Sequence, residues 1–178
     1  MASLNEVDTE NLRVGKGILS FQRTGEDEAR DLGEVPECEL SLTIEKLDYF
    51  SARAGIRSKV KSVVLERGGQ LRFVMSSMTP ANLALFFLGT VTEDGLGRPT
   101  FDIMDQDAIQ GQVYFHGTNN VGPRYDFHLH NVEISPTGSF NFIDEDDWSG
   151  CEVTAEMLLS TVTNKFGTVT LTNLDTDT

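Results

Sequence analysis

Positive charge is scarce in this sequence: 14 lysines and arginines stand against 28 aspartates and glutamates in 178 residues, a formal net charge of −14. A chain whose main task is to hold nucleic acid needs cation density to neutralise phosphates, so the balance argues against that class. It does not argue against a protein that DNA must pass without sticking. Cysteine is nearly absent as well. Cys38 and Cys151 lie far apart and match no metal spacing, and in a reducing compartment they read as two buried free thiols rather than a disulfide. Long apolar runs are missing; the longest, Ala81 to Leu88, is interrupted by Asn82 and closed by Gly89, far short of the roughly 20 residues that span a bilayer. The start, MASLNEVDTENLRVGKG, has acids where a secretory leader has a basic region and an apolar block, so synthesis and folding in the cytosol are expected. With 39% hydrophobic and 24% charged residues, the composition is that of a globular chain with a core, not of a disordered one.

Catalytic patterns are missing too. The three histidines are His116, His128 and His130. His128 and His130 would share one face of a strand, where they could chelate a metal with His116 as a third ligand, but the simpler reading is a polar sheet face. In DEDDWSGCEVTAE, the residues Glu145, Asp147, Ser149, Gly150 and Glu156 fall at calcium-loop positions. The first is Glu instead of Asp, however, and a strand instead of a helix precedes them. Gly95 and Gly97 lack a phosphate-binding context, and no Walker sequence or nucleophile elbow occurs. No catalytic residue, metal site or cofactor is expected, and the enzyme class has no positive support.

What is present is strand pattern and divided charge. Leu40, Leu42 and Ile44 alternate with Ser41, Thr43 and Glu45, the period of a half-buried strand. SKVKSVVLE and QLRFVM flank Arg67-Gly68-Gly69, which reads as a hairpin turn. GQVYFHG, RYDFHLHNVEI, SFNFI and GTVTLTNL continue the series, while the middle of CEVTAEMLLSTV could be a helical turn. One helix is well signalled. Thr79 suits its N-cap, Pro80 its first position and Gly89 the position past its end. Its side chains Leu83, Leu85, Phe86, Phe87 and Leu88 leave almost no polar face, so it must be covered on more than one side, by the domain's own sheets or also by a neighbouring subunit. The expected fold is a single mainly β domain over 1–178, a β-sandwich or open barrel with one flanking helix, with 1–13 and 175–178 as flexible extensions.

The acids Glu26, Asp27, Glu28, Asp31, Glu34, Glu37 and Glu39 crowd one zone, opposed only by Arg30. Half of all the bases fall between Lys46 and Arg72, among them Arg53, Arg57, Lys59 and Lys61, which follow Tyr49-Phe50 around Gly55. The stretch describes a projecting loop with a sticky tip as well as it describes a nucleic-acid groove. Self-assembly accounts for both zones, acid on one copy meeting base on another, whereas DNA binding accounts for one.

VGKGILSF, then LGEVPECELSLTIEKLDYFSARAGIRSKVKS, then TPANLALFFLG, then QGQVYFHGTNNVGPRYDFHLHNVEISPTG, in this order and spacing, resembles the major tail tube proteins of long, non-contractile (siphovirus-type) bacteriophage tails. The resemblance covers most of the chain from about Val14 onward. It implies a β-sandwich with a flanking helix, hexameric rings stacked into a hollow tube, and strands of all subunits joined in one barrel around the lumen. It further implies a virion protein made in the host cytoplasm, with a tape-measure protein in the lumen during assembly, tail terminator and tail-tip proteins at the ends, transient passage of double-stranded DNA, and no membrane. On this resemblance Tyr49, Phe50, Arg53, Gly55, Ile56, Arg57 and Lys59 form the loop that reaches an adjacent ring. The acids Glu26, Asp27, Glu28, Asp31 and Glu34 are its candidate partners, although the insertion TGEDEARD has no clear counterpart in the family. Some relatives carry an added immunoglobulin-like domain, for which a chain ending at Thr178 is expected to have no room. Two other readings stay open: the tube of a contractile tail or injector, and a soluble β-sandwich binding module with Trp148 and Tyr125 as stacking residues.

Overall fold

The computed structural model describes residues 12, 14–53, 55–143 and 148–172. The suggested extensions, Leu12 apart, and Glu145 and Asp147 of the calcium-like cluster lie outside them. In chain order the elements are β1 (Gly17–Arg23), β2 (Arg30–Asp31), β3 (Glu37–Ser51), β4 (Ser58–Met75), α1 (Pro80–Phe86), β5 (Thr92–Glu93), β6 (Pro99–Thr100), β7 (Ile109–Gly117), β8 (Arg124–Pro136), β9 (Cys151–Met157) and β10 (Gly167–Thr172). Strands dominate and the helix flanks them, as expected. One eight-stranded antiparallel sheet runs β2-β1-β7-β8-β9-β4-β3, with β10 paired to β8; β5 and β6 make a small separate hairpin. Of the two architectures left open by the sequence, this is nearer the open barrel, since one continuous sheet curls until side chains of β3 and β4 share a cavity with those of β7 and β8.

Alternation builds the core. Leu19 and Phe21 of β1, Leu71, Phe73 and Met75 of β4, Val132 and Ile134 of β8, and Val153 and Ala155 of β9 all point to one face and are buried there. Leu85 and Phe86 of α1 close that face together with Leu32. Thr79 caps the helix, its side chain accepting from the Asn82 amide, and Pro80 occupies the first turn. The end differs from the sequence reading. The left-handed residue is Leu88, at φ 53°, one place before Gly89. Gly89 is needed for closeness, because a Cβ there would lie 2.6 Å from the Asp102 carbonyl oxygen.

Asn82, which looks like a polar interruption in the sequence, is buried. Its Nδ2 donates to the carbonyls of Leu32 and Ser77, both at 2.8 Å, while Oδ1 accepts from the Arg30 guanidinium. One amide thus ties the helix to β2 and to the exit of β4. The run CEVTAEMLLSTV needs no helical turn; β9 takes its first seven residues as strand. Cys151 is fully buried, but Cys38 is exposed, correcting the expectation that both are interior; both are free.

The turn expected at Arg67-Gly68-Gly69 is not there. β4 runs straight through it, Gly68 opposite Thr43 and Gly69 opposite Leu42, and the chain reverses instead across 52–57. Glycine at 69 serves close approach, not reversal: an added Cβ would meet the Ser41 carbonyl oxygen at 2.7 Å and Met157 Sδ at 2.9 Å. Asn82→Ala should lower the unfolding free energy of the free subunit by about 2–3 kcal/mol, because two buried carbonyls and a guanidinium lose their partner; chemical denaturation measures it.

Candidate functional site

The β3–β4 hairpin is far longer than the sheet that supports it. β9 pairs with β4 only from Gln70 to Met75. Beyond that, Ser58 to Gly69 of β4 pair with β3 alone, and β3 has no second neighbour among the described residues. About ten residue pairs therefore project as a bare two-stranded ribbon, roughly 33 Å at the usual rise. Such a ribbon is marginal in water by itself, and both its edges present unpaired backbone groups.

Its side chains deepen the problem. Leu42 (71% exposed), Ile44, Leu47, Tyr49, Val60 and Leu65 are all open to solvent. The alternation of Leu40, Leu42 and Ile44 was read from the sequence as half-buried, and the fold buries none of them; Leu40 is only at the margin. Two bulges on β4 decide which way residues point. Leu65 is the extra residue between the pairs Glu45–Glu66 and Lys46–Val64, and Val60 the extra one between Tyr49–Lys61 and Phe50–Lys59. Leu42 and Ile44 lie on the core side of the ribbon, whereas Leu47, Tyr49 and Val63 lie on the opposite side, so both faces carry exposed apolar side chains among their charges.

At the tip, Gly55 adopts φ 86°, a left-handed conformation that favours glycine, and its amide donates to the Ala52 carbonyl. Ile56 beside it is 80% exposed. The Arg57 guanidinium lies 5.0 Å from the centre of the Phe50 ring. Lys59 sits 2.7 Å from the Asp48 carboxylate, which also accepts from Ser62 at 2.6 Å; those hydrogen bonds, Lys59 first, hold Asp48 below the usual carboxylate range. Arg53 uses its backbone amide on Ser51 Oγ.

The acids gather at the other end. The Ser76 amide, just past β4, donates to the Glu34 carbonyl, so Asp31 and Glu34 lie beside the base of the ribbon, the length of β4's 18 residues from the tip. Asp31 Oδ1 accepts from the Gly33 amide, and Glu26 Oε2 from the Arg23 amide. Asp27 and Glu28 are exposed in the turn between β1 and β2. The helix residues Leu85, Phe86 and Leu88 are buried within the subunit, with Leu83 and Phe87 packed at the edge of the same cluster. Phe87 also meets Phe101 and Phe140, so much of the cover that the helix required comes from its own chain.

The face of the sheet opposite the core is polar. A cross-strand row runs Gln70–Glu156–Glu133–Gln110, and Gln110 donates to Glu133 at 2.9 Å. Glu45 stands directly opposite Glu66. Arg72 spans Glu37 (3.3 Å) and Glu152 (2.7 Å), and its hydrogen bond draws Glu152 below the usual carboxylate range. The three histidines share this face. His116 Nδ1 lies 2.7 Å from Asp126, His130 meets Thr168 Oγ1, and His128 stacks on Tyr114 while bonding Gln112. Burial, then the neighbouring His130, lowers the His128 pKa. Among the described residues no group of three or more His, Cys, Asp or Glu is arranged to hold a metal. Tyr125 packs near Phe127 on β8, and Trp148 lies just before β9, 94% exposed.

Residues 13–114 match a family described as "Protein of unknown function UCP028589"; that is more than half of the chain, which belongs to this family. No curated protein matches it. Among solved structures it is similar to a chain of "Tail of empty GTA particle computed with helical refinement, C6 symmetry", at 15% identity and TM-score 0.38, covering 88% of this chain and 96% of that one. It is also similar to a chain of "Cryo-EM structure of the anti-feeding prophage (AFP) baseplate, 6-fold symmetrised", at 9% identity and TM-score 0.47, covering 92% and 97%. Neither likeness is deep enough to carry an argument about what this chain assembles into.

Replacing Leu42 and Ile44 together with Thr should move free-subunit stability by no more than about 0.5 kcal/mol, since neither is buried. It should sharply weaken self-association. Chemical denaturation and sedimentation velocity read the two effects separately.

Proposed function

We propose that this member of the family is the repeating subunit of a bacteriophage tail tube of the long, non-contractile type, a virion protein whose hexameric rings stack into a hollow conduit for double-stranded DNA. The observation that carries the reading is the bare ribbon, with exposed apolar side chains on both faces and open on both edges. Its cost is removed when neighbours supply strands to the edges and side chains to the faces. Joining strands around a ring eliminates edges altogether. A contact between unlike ends of one subunit, acidic base to cationic tip, does not close on itself and grows into a filament.

In this account Tyr49, Phe50, Ile56 and the cations Arg53, Arg57 and Lys59 form the contact to the next ring, made possible by the turn at Gly55. The acids Glu26, Asp27, Glu28, Asp31 and Glu34 set polarity and suppress wrong pairings more than they add affinity. Leu83 and Phe87, at the edge of the helix cluster, are where a subunit of the same ring would pack. The polar face with Glu45, Glu66, Glu133 and Glu156 lines the lumen, and its Arg72 is held between Glu37 and Glu152, which leaves phosphates little cationic surface to rest on. A tape-measure protein occupies that lumen during assembly, and terminator and tip proteins cap the tube. The tube of a contractile tail is the second reading. It draws on Phe142 and Ile143, at 81% and 86% exposed, which would give an outer sheath an apolar hold.

Changing Arg53 and Arg57 together to Glu should leave the subunit folded and abolish tubes in negative-stain images of protein concentrated until the wild type polymerises. Tubes of unchanged length from the variant would remove the tip from the ring contact.

A further inference from the structure

A cavity of about 190 Å³ opens at the base of the ribbon, on its core side, between the walls of Cys38, Leu40 and Leu71 and those of Phe115, Phe127 and Leu129. Its lining is almost wholly apolar, and an apolar space of about 150 Å³ already accepts a benzene-sized guest. Cys38 is exposed as a residue, yet burial of its thiol pushes the pKa up to about 11. Among the described residues no side chain fills this space, and Ile56, the most apolar residue of the tip, is 80% exposed.

We infer that the cavity is the seat for the ribbon tip of a second copy, with Ile56 as the inserted side chain. Three observations select this occupant. The tip carries Arg53, Arg57, Lys59 and Lys61, whereas Asp31 and Glu34 lie beside the other end of the hairpin, where the Ser76 amide meets the Glu34 carbonyl, so the charges at the two ends are complementary. The size suits one branched aliphatic side chain and not a helix or a strand. The seat lies thirteen residues along β4 from Ser58, at Leu71, or roughly 40 Å at the usual rise. A copy displaced by that length along the ribbon therefore meets the cavity with its tip, and the same step repeats without closing. The inference rests on the tube reading and adds to it the pocket that receives each subunit.

The test is an oxidative cross-link. Ile56→Cys places a thiol at the tip, Cys38 supplies the thiol in the seat, and copper–phenanthroline is added to assembled protein. Each chain then holds one thiol of each kind, so seating yields a ladder of covalent oligomers on non-reducing gels, abolished by Cys38→Ala. Tip-to-tip linkage stops at dimers. Tubes in negative stain with only dimers or monomers on the gel overturn the seat but leave the tube reading standing. Absence of tubes from both wild type and variant overturns both. If the variant alone fails to polymerise, the wild type decides. Maleimide labelling of Cys38 should slow at least tenfold on assembly, and an unchanged rate overturns the seat.

Discussion

A two-stranded ribbon with apolar side chains on both faces and unpaired amides on both edges is marginal in water by itself. Everything distinctive about this chain follows from that constraint. The eight-stranded sheet and α1 bury a complete core without the ribbon's help; Phe73, Met75, Val132, Val153 and Ala155 are fully enclosed. What is left over is a second, unfinished hydrophobic surface held out from a finished domain. Burying one Leu, Ile or Val side chain contributes about 1.5–3 kcal/mol. Burying eight or so such side chains per copy against neighbours would supply a driving force comparable with the stability of a small domain.

Charge then governs which contacts are made. With 28 acids to 14 bases, like subunits repel over most of their surface, and the apolar ribbons would otherwise aggregate in any register. Placing the cations at the tip and the acids at the base of the same hairpin makes one approach favourable and the reverse approach unfavourable. Ion pairs exposed at such a contact are screened by salt over about 10 Å. In the proposed contact their part is orientation and rate, while the proposed apolar seat would supply persistence.

Local signals in the sequence were reliable where the physics is local. Thr79, Pro80 and the following apolar residues specify a helix start through capping and a fixed φ, and the structure has it there. Signals that need the third dimension were not legible. Gly68-Gly69 reads as a turn because glycine permits reversal, yet here Gly69 permits close packing against Ser41 of the paired strand β3 and Met157 of β9. The bulges at Leu65 and Val60 leave no mark of their own, although the one at Leu65 turns Val63 to the face away from Leu71 and Phe73 of the same strand. Asn82 looks like a flaw in an apolar helix until Arg30, fifty-two positions away, arrives to bond it. The most informative disagreement concerns Leu40, Leu42 and Ile44. Their alternation states that one face is buried, and within a single subunit it is not. The candidate site is the place where the pattern expects a partner that one chain cannot supply.

The central claim is that the ribbon is completed by other copies, and amide hydrogen exchange tests it most directly. Amides of residues 42–51 and 58–69 on the ribbon's outward edges should exchange with little protection in dilute subunits. In the assembled protein their exchange should slow by several orders of magnitude, while the core strands β7 and β8 change little. Equal exchange of the ribbon amides in the two states would mean that the ribbon stands alone after all, and the account would fail.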